Sequence, residues 1–275
     1  MIVADLFHPA EDGAGMLYTR EHYQALRERL APGGLVCQWL PLHQLDLGSF
    51  RDVVTTFQGV FPEATLWLLR FNADVPVVGL VGGHEVLRVD VERLALRMAS
   101  GSLGAALKPL ALADPLRLLG CRLAGSGSLR ALSAGGREAT DDLPRVLFGA
   151  ARSVYRMGEA PHDRLVALLE KVEPEWEGLS SAIVERLEAF RRARDRHLKG
   201  LAKEYSGRGQ EAVEDYLASA GLSREYTAGY AQAVVVASAF ARENPELARS
   251  ILERLVVLRP DQGLAKEMLG RMGGR

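Results

Sequence analysis

The apolar and polar positions of this chain change their spacing as the sequence runs on. Ile2-Val3-Ala4 is a short, largely β-branched run that ends on the carboxylate of Asp5. A glycine-bearing loop follows, then an amphipathic stretch, then Pro32-Gly33-Gly34 and a second apolar run, Leu35-Val36-Cys37-Gln38-Trp39-Leu40. That order reads as strand, loop, helix, strand, the unit from which parallel sheets are built. Leu17, His22-Tyr23, Leu26 and Leu30 recur at helical spacing, with Arg20, Glu21, Arg27, Glu28 and Arg29 largely opposite and Thr19 placed as the cap. A strand as apolar as the first is expected to be central and covered on both faces. In open parallel sheets the ligand crevice lies beyond the carboxyl ends of the strands, so Asp5 is expected to face it. Gln38 is a polar group placed where the second strand meets that crevice.

The same reading carries on through a helix from Asp46 past Phe57, closed by Phe61-Pro62, and a strand at Ala64–Leu69. Asn72-Ala73-Asp74 then turns into Val75–Val81, an antiparallel hairpin expected to end the sheet. Residues 90–132 read as short helices, with Leu123 grouped with Leu116, Leu118 and Leu119. Thr140–Pro144 is a turn into Val146-Leu147-Phe148, a final strand or extended segment. From Pro161 onward the chain reads as helix after helix. Trp176, Leu179, Ile183, Leu187 and Phe190 step along one helix whose other face, Arg191, Arg192, Arg194 and Arg196, is expected to be solvated. Tyr230, Val234, Ala237 and Phe240, then Leu247, Ile251, Leu252 and Leu255, resemble one tetratricopeptide-like hairpin. A partial Rossmann-like α/β domain over 1–157 and an all-α region over 158–275 are therefore expected.

Composition narrows the classes. The 34 basic and 35 acidic residues leave no net field that would attract nucleic acid or a membrane surface. No run approaches the ~18 apolar residues of a membrane helix. With no signal-peptide pattern at the start, a cytoplasmic location is expected. Cys37 and Cys121, both in apolar surroundings, read as buried free thiols. His8, Glu11 and Asp12 in one loop are too few and too irregular for a metal site, and no metal is expected. His22 and His43 read as helix-surface or core histidines, Trp39 as core, and Gly125-Ser126-Gly127 as a linker. No Gly-x-Ser-x-Gly elbow supports a serine hydrolase.

Taken together, Ile2–Pro9, Leu17-Tyr18-Thr19-Arg20-Glu21-His22-Tyr23, Leu30–Gly34 and Cys37-Gln38-Trp39 resemble the spermidine synthase family, in the second half of its catalytic domain. Thr140-Asp141-Asp142 with Pro144 is similar to a late motif of the larger spermidine synthase-like proteins. The resemblance implies a methyltransferase-like sheet and transfer of an aminopropyl group from decarboxylated S-adenosylmethionine, a co-substrate, to a small-molecule amine. It puts Asp5 as general base, His8, Tyr18 and Gln38 on the substrate side, and Pro9 on the co-substrate side. His8 stands where the family has a second acid, and Leu69–Asp74 lacks the family's Tyr-Pro-Ser-Gly stretch, so the amine is expected to differ from putrescine. The family's glycine-rich nucleotide loop should precede Asp5, so the chain is expected to be the C-terminal part of such an enzyme. Its cut sheet edge is then expected to pair with a second copy. The other class that fits is a non-catalytic remnant whose helical tail binds a partner protein.

Overall fold

The computed structural model describes residues 1–5, 8–9, 11, 13–99, 101–155 and 160–273. By contact the chain separates into two compact units, Met1–Ala99 with Cys121–Leu179, and Ser100–Gly120 with Ser180–Arg275. This division follows packing. The division at 157/158 follows sequence texture, and both of those residues lie outside the described ones.

The first unit holds strands β1 (Ile2–Ala4), β2 (Leu35–Pro41), β3 (Thr65–Leu68), β4 (Val77–Gly83) and β5 (Arg122–Ala124), in the spatial order β1-β2-β4-β3-β5. Among them run α1 (Arg20–Glu28), α2 (Leu47–Val60) and α3 (Val91–Ala99), and after β5 come α6 (Ser126–Ser133), α7 (Arg145–Tyr155) and α8 (Pro161–Leu169). β1 and β2 are parallel, joined through α1; β4 runs antiparallel to both of its neighbours, β2 and β3. The sheet is therefore mixed, with β2 and β3 pointing the same way and a reversed strand between them.

Register assigns the faces. Ala4, Val36, Gln38, Leu40, Leu66, Leu68, Val78 and Leu80 share one face and are all buried. The helices cover this face: the Tyr23 ring meets Phe57 edge-on at 5.0 Å, Phe57 stacks against Phe61 at 4.8 Å, and both phenylalanines stand over Gly82. On the opposite face Cys37, Trp39, Trp67 and Val81 are half-buried and Val3 is 46 % exposed. Cys37 thus departs from the expected burial, whereas Cys121 is buried.

Caps fix where the helices begin. The Thr19 hydroxyl accepts from the His22 amide, and the Asp46 carboxylate accepts from the Ser49 amide at 2.6 Å. A strap at Arg137–Asp141 then ties α1 to α2. Asp52, buried in α2, accepts from the Arg137 amide at 2.9 Å and from its guanidinium at 3.0 Å; Thr56 accepts from the Ala139 amide at 2.9 Å. At the other end of the strap the Thr19 hydroxyl donates to Asp141 Oδ1 at 2.6 Å, and the Asp141 amide donates to Glu21 at 3.0 Å. The Thr140-Asp141-Asp142 motif therefore meets the start of α1, just after the 3₁₀ segment Ala14–Tyr18.

The expected open edge is β1, which β2 pairs on one side and nothing described pairs on the other, so this apolar strand is not central. Three other expectations are overturned. The sheet does not end at the hairpin: Leu123 leaves the helical group for β5, which pairs with the outer edge of β3. Val146-Leu147-Phe148 is helical, since α7 packs on the 3₁₀ segment so tightly that Gly15 lies against Leu147. Trp176 and Leu179 precede the helix they were placed on, and the Trp176 ring instead takes the Arg122 guanidinium at 5.8 Å.

The second unit is helical: α4 (Ser102–Leu107), α5 (Pro115–Leu119), α9 (Ser181–Tyr205), α10 (Gly209–Leu222), α11 (Ala228–Glu243), α12 (Pro245–Leu258) and α13 (Leu264–Gly273). Its core joins Val213, Tyr216 and Leu217 of α10 to Tyr230, Val234 and Ala237 of α11 and Ile251, Leu252 and Leu255 of α12. α9 and α10 cross closely at Gly200, where a Cβ would lie 2.4 Å from the Tyr216 ring. The basic face of α9 is only partly solvated. Arg192 and Arg196 are exposed, but Arg194 is 1 % exposed and donates to the Gly120 carbonyl at 2.7 Å and to Asp195 at 2.8 Å. A cation reaching a buried carbonyl so far away in sequence leaves no mark in the periodicity.

Candidate functional site

The carboxyl ends of β1 and β2 are where a parallel pair presents side chains to a ligand. Asp5 lies there, exposed, one residue past the Ala4–Gln38 register pair. His8 follows on the same loop, also exposed, and its carbonyl accepts from the Glu11 amide at 2.8 Å. Across from it runs the connection from β2 to α2, Leu42–Asp46. His8 Nδ1 is hydrogen-bonded to Gln44 Nε2, and the same nitrogen lies 3.3 Å from His43 Nε2. One side-chain amide therefore links two imidazoles from two loops.

The second loop is held from α8. Arg164, 6 % exposed, directs Nη1 at the carbonyls of Leu42, His43 and Leu45, at 3.1, 3.3 and 3.3 Å. Leu42 also donates its amide to the Pro76 carbonyl at 3.0 Å. Burial, then the neighbouring His8, Arg164 and Arg70, lower the His43 pKa below the ordinary histidine value, and Asp74 opposes them. His43 is thus a neutral, half-buried loop histidine, neither on a helix nor in the core.

The remaining sequence candidates are buried or half-buried. Gln38 is fully buried on the helix-covered face, where its Nε2 donates to the Trp39 carbonyl at 3.1 Å and its Oε1 has no partner. Tyr18 is also fully buried, which pushes its phenol pKa far up. Pro9 is buried and Trp39 half-buried. His22, half-buried on α1, has its pKa lowered by burial against an opposing pull from Asp141. Asp12, Leu6 and Phe7 lie outside the described residues. Among the described residues no three His, Cys, Asp or Glu side chains are grouped to hold a metal.

The structure thus brings His8, Gln44 and His43 together and anchors their loop on Arg164, while Asp5 lies at the end of β1, three residues before His8. The sequence hint for Gln44 was a His-Gln pair interrupting the apolar stretch from Leu40 to Leu45. Arg164 gave none, since a charge on a helix is ordinarily solvated.

Gly125-Ser126-Gly127 is not a linker. It follows β5 and opens α6, and the Glu175 carboxylate fills the helix start, accepting from the Gly127 amide at 3.2 Å and the Ser128 amide at 2.7 Å. A Cβ at Gly125 would sit 2.3 Å from that carboxylate, so the glycine makes room for it. A nucleotide phosphate or carboxylate would meet an anion already in place. A cleft of about 720 Å³ lined by Gly33, Gly34, Gly83, His84, Glu85 and Arg88 opens at the other end of the sheet, away from Asp5.

No family model, curated protein or solved structure matches this chain. No helix among the described residues is long and apolar enough to cross a membrane.

Proposed function

We propose that this chain supplies the amine-activating side of an aminopropyl transfer, with Asp5 as general base. The observation that carries the reading is the place of Asp5: an exposed carboxylate at the carboxyl end of a strand paired in parallel. In the reaction, an amine nitrogen attacks the aminopropyl carbon bound to the sulfonium of decarboxylated S-adenosylmethionine. The C–N bond forms as the C–S bond breaks, and its electron pair neutralises the sulfur of departing methylthioadenosine. The sulfonium is already an activated leaving group, so positioning and deprotonation are what the protein must add. An alkylammonium is nearly all protonated at neutral pH; Asp5 accepts its hydrogen bond, orients the nitrogen and takes its proton as attack begins.

The glycine-flanked start of α6 is no cradle for the donor's adenosyl group, because Glu175 fills it. That group is held by a segment docked on the free edge of β1, where a Rossmann-like sheet would continue. The parallel β1–β2 pair and the reversed β4 beyond β2 support this finer fold assignment. A second reading, a partner-binding helical module without catalysis, is favoured by Val235, Val257 and Leu264, which are 58 %, 81 % and 49 % exposed on α11, α12 and α13.

Methylthioadenosine release from decarboxylated S-adenosylmethionine, measured on the chain coexpressed with the sequence encoded immediately upstream, separates the two. Release that drops about 10²-fold or more in Asp5→Asn is expected, the usual contribution of a general base being about 10²–10⁴. No release, together with no calorimetric binding of the donor or of methylthioadenosine, rejects the transferase reading and leaves the binding module.

A further inference from the structure

We infer that the β2–α2 loop, His43 and Arg164 form a carboxylate-binding subsite, and that its ligand is an aminocarboxylate rather than a diamine. Arg164 is a guanidinium more than nine-tenths buried, and no carboxylate of a described residue pairs with it. Three carbonyl oxygens take Nη1, while Nε, also buried, has no hydrogen-bond partner. Carbonyl dipoles satisfy donors but do not cancel a charge. A buried cation without a counter-ion is costly unless an anion completes it.

The neighbouring loop repeats the pattern. Gln44 Nε2, a donor only, faces His8 Nδ1 and His43 Nε2, which makes both of those nitrogens acceptors. With the amide oriented that way, the proton of neutral His43 sits on Nδ1. His43 Nδ1 is buried and has no partner, so it is a second donor waiting beside Arg164, whose guanidinium bonds the His43 carbonyl at 3.3 Å. Gln44 Oε1 is buried and without a partner too, and it is an acceptor. Two unspent donors with an uncompensated positive charge suit a carboxylate. The unspent amide oxygen of Gln44 suits an ammonium. A molecule carrying both groups satisfies the whole set, whereas a diamine would bring a second positive charge against the buried Arg164.

The identity of this ligand as the amine acceptor rests on the transfer reading; the subsite does not. The test is calorimetric titration of the full chain with 4-aminobutyrate and with putrescine, which match in length and differ in one charged end. Binding of 4-aminobutyrate at least tenfold tighter than putrescine is expected. That preference is expected to disappear in Arg164→Gln and to fall at least fivefold in His43→Phe, which removes the Nδ1 donor while leaving the backbone carbonyls that anchor Arg164. If Arg164→Gln melts the loop, seen as a lowered melting temperature, the His43→Phe result decides. Putrescine binding as tightly as 4-aminobutyrate, binding of neither, or a preference unchanged in His43→Phe overturns the subsite. Binding of 4-aminobutyrate by the chain, with no methylthioadenosine release when it is coexpressed with the sequence encoded immediately upstream, leaves the subsite standing and sinks the transfer.

Discussion

Two buried ionisable side chains of the helical unit, His197 and Arg259, do different work. In the helical unit His197, 6 % exposed, bonds through Nδ1 to the Tyr226 hydroxyl at 2.7 Å and lies 5.7 Å from the rings of Tyr216 and Tyr226. The Tyr216 hydroxyl in turn bonds Glu204. Burial lowers the His197 pKa to about 4. An unfolded imidazole titrates near ~6.5, so between those two values the unfolded chain holds the extra proton and acid favours unfolding. The contribution of His197 is complete above about pH 6.5 and is lost as pH falls toward 4, with a slope of up to about 1.4 kcal/mol per pH unit for one proton. Urea melts followed by circular dichroism at a series of pH values check this: His197→Gln keeps an acceptor for Tyr226 and is expected to flatten the slope in that window. An unchanged slope would show that other groups carry the acid sensitivity. Arg259, 2 % exposed, is instead fully employed. It bonds Asp261 at 2.8 and 3.0 Å, bonds the carbonyls of Ser223 and Arg224, and lies 5.9 Å over the Tyr230 ring, closing the end of α12 onto the turn before α11.

Among the elements, α6 shows how a short helix is fixed from outside itself. Its first residues offer no side-chain cap of their own, and Glu175 from a later segment takes the two free amides. Replacing Glu175 by Ala is expected to destabilise the sheet unit by about 1 kcal/mol, in the range of a lost N-cap, and Glu175→Gln by less, because one acceptor survives without its charge. Thermal melts of the pair against the parent chain measure it, and equal melting temperatures for all three would contradict the cap. The same dependence on distant partners explains what could be read in advance. α1 and α2 carry their own periodicity and their own caps at Thr19 and Asp46, and β2 is an apolar run broken only by Gln38, so all three are legible. β5 is three residues in leucine-rich surroundings and becomes a strand only because the edge of β3 is there to pair it. Val146-Leu147-Phe148 favours a strand locally, and packing on the 3₁₀ segment makes it helix. Asp5 was legible from its place at a strand end. Arg164 was not, because it reaches the Leu42 carbonyl across 122 positions of sequence.

On the scale of the whole molecule, the sheet carries an unguarded edge. β1 is apolar, has no Lys or Pro, and exposes Val3, all of which favour pairing with another strand. The purified chain is expected to self-associate at micromolar concentration, with Val3→Lys restoring a monomer. Light scattering across a dilution series distinguishes the two, and a monomeric parent chain would mean that the edge is protected.

The chain also passes between its two compact units three times, near residues 99, 120 and 179. Neither unit is a continuous stretch of sequence. During synthesis β5 and the Glu175 latch can join the sheet only after α4 and α5, which belong to the other unit, have left the ribosome. A stop codon between residues 120 and 179 therefore leaves the sheet unit incomplete and part of the helical one without its partners, and a protease cut at one passage leaves the units tethered through another.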